Sequence, residues 1–223
     1  MVDLQRIFAF RLRSVVAYGP QLDGDAHHPL TCLALVDSLS TSDLEGCARM
    51  AHHWQHQDLA IPLILPTQEF RRSLDAFPLE YSEILRAHAR VFGDDPLDGV
   101  SISPEDLRRA CETQVKSHLV HLREGFIESG GLPRDVAELV RTSAPSFAAL
   151  LRSVARLTGT TPPGRTDAAR AGAQAAGLAD AIVTDILSLE QQSNLAAIDA
   201  ARLFPSYLEA VEQLARTVDG WRA

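Results

Sequence analysis

The chain reads as an α+β protein, with a small mixed sheet and flanking helices followed by an all-α helical bundle. Three observations predict this. Short apolar runs alternate with helical patterns up to about residue 100. A turn-rich stretch, "DDPLDGVSIS", comes next. Beyond Ser103 only helical periodicity remains, interrupted by short loops of the kind that join antiparallel neighbours in a bundle. The expected division is an α/β domain over residues 1–102 and a helical domain over residues 103–223.

A helix precedes the first strand. "SVVAY" (Ser14–Tyr18) is a buried strand, closed by a Gly-led loop, and "LTCLALVD" (Leu30–Asp37) is a second. "STSDLEGCARMAHHWQHQ" starts with cap-forming residues and sets Leu44, Cys47, Ala48 and Ala51 at helical spacing. "LAIPLILP" (Leu59–Pro66) is a third strand, which Pro62 pushes towards a sheet edge because it cannot donate to a ladder. The next segment is helical with a break or kink at Pro78. "ARVFG" (Ala89–Gly93) is the fourth strand. In the second half Ser103 is an N-cap with Pro104 at the first helical position, and Gly130–Gly131 ends that helix. Leu107, Cys111, Gln114 or Val115, His118 or Leu119, Leu122 and Phe126 trace one of its faces. One or two helices surround Pro145. The Ala-rich run 168–181 is helical and not a linker, and further helices finish the chain.

Composition narrows the function classes. The 223 residues carry a net charge of -8, which argues against nucleic acid as a partner, since backbone binding needs a basic surface. No signal peptide and no 18-residue apolar run is visible, so no membrane association is expected. Three cysteines, Cys32, Cys47 and Cys111, without CxxC spacing fit a reducing cytoplasm better than a disulfide framework or a zinc site.

The order strand, Gly loop, strand, helix, strand, helix, strand and helical bundle resembles the nucleotidyltransferase superfamily. It is similar to the small bacterial proteins related to kanamycin nucleotidyltransferase and to the minimal nucleotidyltransferases. "VVAYG", "LTCLALVDS", "IPLILPTQEF" and "ARVFGDDPLDG" carry the resemblance, from Phe8 to about Gly99. The family places a Gly-Ser pair after the first strand to cradle a triphosphate. It sets two carboxylates one residue apart on the second strand, and a third on a later strand, to hold divalent metal. Carboxylate-held Mg²⁺ neutralises phosphate charge and activates the attacking oxygen. This chain departs at each feature. Gly19 matches the family glycine, but Pro20 follows it and offers neither N–H nor hydroxyl. The carboxylate positions fall on Leu30 and Cys32, and no Asp or Glu lies between Leu59 and Gln68. "LDGD" supplies Asp23 and Asp25 at the right interval, but in a Gly-containing loop, where turn roles prevail. Asp37 is expected to be a turn or cap residue.

Other chemistry-bearing residues have simpler readings. His52 and His56 stand at i, i+4 beside His53, but with no second ligand cluster a solvated helix end with Trp54 turned inward is preferred. His27 and His28 belong to a surface loop. No P-loop, GxGxxG or hydrolase serine motif occurs, and no His follows His121 to build an RNA-cleaving Arg/His motif in the bundle.

The expectation is therefore a catalytically degraded nucleotidyltransferase-fold pseudoenzyme that binds a nucleotide or a protein partner in an interdomain cleft. It assigns no catalytic residue, no metal ligand and no cofactor. Gly19, Lys116 and Arg123 are the substrate-binding candidates, since an anion bound without metal needs cations. The competing picture for Lys116 is an exposed i, i+4 pair with Glu112. Two alternatives stand beside this. One is an active transferase that moves a nucleoside monophosphate from NTP to a small molecule or protein hydroxyl, using Mg²⁺ held by Asp23 and Asp25. The other is a helical-bundle interaction protein. Nothing in these patterns fixes an oligomeric state.

Overall fold

The computed structural model describes residues 1–23, 28–160, 162, 164–191 and 197–221. The chain forms two compact units, Met1–Asp106 and Leu107–Ala223.

The first unit is a four-stranded mixed sheet in the order β3-β2-β1-β4. β1 (Leu12–Tyr18) runs antiparallel to both β2 (Thr31–Val36) and β4 (His88–Gly93), and β3 (Leu63–Pro66) runs parallel to β2. Alternation along the strands sends side chains to two cores. Cys32, Ala34 and Val36 join Val15 and Leu12 in a cluster with Leu4 and Phe8 of α1 (Val2–Phe8) and Cys47 and Trp54 of α2 (Thr41–His56). Leu33 and Leu35 point the other way, towards Val16, Phe70 of α3 (Thr67–Arg72), and Tyr81 and Ile84 of α4 (Pro78–Arg86).

The sequence signals map onto these elements with specific shifts. β3 lies at the sheet edge and begins just after Pro62. The stretch before it contributes only an isolated Leu30–Leu59 bridge. Pro78 occupies the first turn of α4, so it starts a helix and does not kink one. Ser40 and Asp43 form a capping box at the start of α2. Arg11 clamps the Asp43 carboxylate with bonds of 2.7 and 2.8 Å. Asp37 lies in the bend that follows β2, as the turn reading expects. It forms no cap, but accepts bonds of 2.5 and 2.6 Å from Arg13 Nε and Nη2, pinning the end of β2 to β1.

The second unit comprises α5 (Pro104–Glu128) from Leu107 onward, α6 (Pro133–Leu157), α7 (Arg165–Ala175), α8 (Asp180–Gln191) and α9 (Ala197–Asp219). α6 is the central helix and packs on α7, α8 and α9. It runs unbroken through Pro145. A proline inside a helix costs about 3 kcal/mol, but Ala144, Phe147, Ala148 and Leu151 around it are fully buried, and that packing offsets the lost backbone bond. α7 approaches α6 at Gly172, where a Cβ would stand 1.8 Å from the Leu151 carbonyl oxygen. His118 on α5 bonds the Tyr207 hydroxyl on α9 at 2.8 Å and stacks on Phe147 of α6, so one polar pair sits inside an aromatic cluster. No helix among the described residues is long and apolar enough to cross a membrane.

Candidate functional site

The end of β1 and the start of β2 form the candidate site. Gly19 follows β1 at φ +98°, a left-handed conformation that glycine adopts without strain. The space around it is not tight, since an added Cβ would meet Thr31 Oγ1 at 3.5 Å. Pro20–Asp23 then forms a 3₁₀ turn, closed by the Leu22 N–H donating to the Gly19 carbonyl at 3.1 Å. The register pairs Tyr18 with Thr31 and Ala17 with Cys32, which brings the Gly19 turn beside the start of β2.

Leu30 and Cys32 flank Thr31 and share one face of the strand. Both line a cavity of about 140 Å³, together with Leu4, Val15, Trp54 and Val91. The Trp54 indole N–H is committed to Asp3 Oδ2 at 3.1 Å. Burial pushes the Cys32 thiol up, partly opposed by the Met1 ammonium, so the sulfur stays protonated at neutral pH. Hard divalent cations need several oxygen ligands. An aliphatic side chain and a neutral thiol in an apolar cavity do not fit Mg²⁺. β3 brings no carboxylate either. Among the described residues no group of three His, Cys, Asp or Glu side chains is placed to hold a metal. The alternative ligands of the sequence, the Asp23 side chain and Asp25, lie outside the described residues, as does His27. His52, His53 and His56 are exposed on α2, with Trp54 turned inward.

Lys116 and Arg123 belong to α5 in the second unit, where each meets carboxylates of α9. Lys116 Nζ stands 2.5 Å from Glu112 and 2.7 Å from Asp219, and Arg108 bonds Glu112 from the other side at 2.8 Å. Bonding to these two carboxylates pushes the Lys116 ammonium up, with Asp219 the larger effect. Arg123 reaches Glu212 at 2.8 Å. The sequence pairs Lys116 with Glu112 alone. Asp219 lies 103 residues further on, and no local pattern could have found it.

The strand order, the two helical layers and the helical second unit define a nucleotidyltransferase-like α+β fold. One solved structure similar to this chain is that of spectinomycin adenyltransferase AAD(9) from Enterococcus faecialis, whose crystal structure holds ATP and spectinomycin. The two chains superpose with a TM-score of 0.62 over 98% of this chain and 96% of that one, at 12% identity. No protein-family model matches the sequence. No curated protein matches it either.

Proposed function

We propose that this chain is a nucleotidyltransferase-fold protein that has given up metal-dependent transfer at the family's carboxylate positions and works by binding a nucleotide or a protein partner. One observation carries this reading. The strand start beside Gly19 presents Leu30 and Cys32 to an apolar cavity, where the resemblance calls for two metal-holding carboxylates. Lys116 and Arg123 remain the anion-contact candidates. Each already neutralises a carboxylate, so a phosphate would have to displace Asp219 or Glu212 to reach it. Calorimetric titration with ATP, with and without Mg²⁺, tests the reading. Nucleotide binding without a metal requirement, weakened in Lys116→Ala or Arg123→Ala, supports it. Equal binding by wild type and both variants removes these two residues from the site.

A second reading is favoured by the near full-length superposition on an adenyltransferase. Here the chain is an active transferase whose metal is held by Asp23 and Asp25. Saturable Mg²⁺ binding at micromolar concentration, lost in Asp23→Asn or Asp25→Asn, and adenylyl transfer from ATP to spectinomycin or another hydroxyl acceptor would establish it in place of the first.

A further inference from the structure

The cavity beneath Leu30 and Cys32 has a chemistry of its own. Its volume is about 140 Å³. That is the scale of the roughly 150 Å³ engineered apolar cavity that takes up benzene or xenon, although here one side, at the exposed Met1 and Val91, opens to solvent. The lining side chains are apolar, Ala60 and the Met1 thioether among them, apart from the indole N–H and one thiol. The indole N–H is already spent on Asp3. Cys32 is half-buried, and Cys47 and Cys111 are buried, so Cys32 is the most accessible of the three thiols. A polar molecule entering here would lose water and gain almost no hydrogen bond, which is unfavourable. An uncharged apolar molecule loses nothing and gains contacts with Leu4, Val15, Leu30, Trp54 and Val91.

We propose that this cavity is a binding site for a small, uncharged, apolar ligand of about the size of a single six-membered ring, seated against Trp54 with Cys32 at its wall. The site is independent of any nucleotide, and it holds whether or not the proposed nucleotide binding does. Volume limits the ligand to one ring. Among the described lining side chains only the neutral Cys32 thiol offers a polar group not already bonded, which selects against hydroxylated and charged molecules. The Met1 ammonium acts on Cys32 through space. An apolar anion such as benzoate is therefore the informative competitor.

Benzene is the probe, titrated into full-length protein carrying Trp221→Phe, so that Trp54 is the only indole of the original two. The expected result is a saturable change in Trp54 emission. At saturating benzene, iodoacetamide should alkylate Cys32 at least tenfold more slowly, as located by peptide mass spectrometry. Ala60→Leu projects a larger side chain into the cavity and should abolish both effects while keeping the wild-type circular dichroism. Val91→Phe replaces it as the filling variant if Ala60→Leu does not fold. A linear, non-saturable emission change overturns the proposal. So does an unchanged response in the filling variant, or tighter binding of benzoate than of benzene.

Discussion

His118 should couple the stability of the helical unit to pH. Its ring lies between Phe147 and the Tyr207 hydroxyl. Burial, with a smaller contribution from His121, lowers its pKa from 6.5 to about 4. The unfolded chain therefore binds a proton between those values that the folded chain refuses. Stability is fully present above pH 6.5 and is lost as pH falls towards 4. A gap of about 2.5 pH units at 1.36 kcal/mol each gives a loss of about 3 kcal/mol. Urea unfolding followed by circular dichroism between pH 7.5 and 4 measures it, with His118→Gln as the non-titrating reference. Carboxylates such as Glu112 and Asp219, held below their usual range by Lys116, also lose stabilisation in acid, and the comparison cancels them. The wild type should lose about 3 kcal/mol more than the variant. Coincident pH profiles, or a His118 ring that titrates near 6.5 by nuclear magnetic resonance, would refute the reasoning.

Tyr207→Phe removes the hydroxyl that meets His118 and leaves a buried ring nitrogen without its partner, so it should cost about 1–3 kcal/mol by chemical denaturation. Gly172→Ala places a methyl group 1.8 Å from a backbone oxygen. It should force α6 and α7 apart at a cost of about 3 kcal/mol or more, read as a lower urea midpoint. Cys32→Asp sets a carboxylate in an apolar cavity, where burial raises its pKa above the unfolded value. The folded state then holds the extra proton, and the penalty grows as pH rises. A loss of about 3 kcal/mol at pH 8, shrinking at pH 5, is expected. Wild-type stability at pH 8 together with stabilisation by Mg²⁺ would show a hydrated metal site instead.

Much of the first unit was legible in the order of its residues, because strand alternation, caps and proline placement are local properties. Val15, Val16, Leu33 and Leu35 mark β1 and β2 by their continuous burial on both faces. Pro62 marks the start of an edge strand, and Ser40 with Asp43 marks the head of α2. The third strand was overread by four residues at its start, since Leu59 bridges Leu30 singly and Pro62 delays the ladder. Pro145 left open one helix or two. Burial of its neighbours against α7, α8 and α9 decided for one, which no propensity could weigh.

The sequence by itself determined the α+β class, the Gly19 turn and the placing of an aliphatic side chain and a thiol, Leu30 and Cys32, at the start of β2, because each depends on residue type at fixed spacing along the chain. Only the tertiary structure decided what surrounds those positions. Leu4 and Trp54 come from helices that fold onto the β2 face, and Val91 comes from the far edge strand, so the cavity they make with Leu30 and Cys32 exists in no local pattern. Tertiary structure also gave Lys116 its second carboxylate, Asp219, and Arg123 its partner Glu212, because the return of α9 alongside α5 sets those distances. Periodicity tells which face of an element is buried. The partner that buries it is chosen by contacts between residues dozens of positions apart.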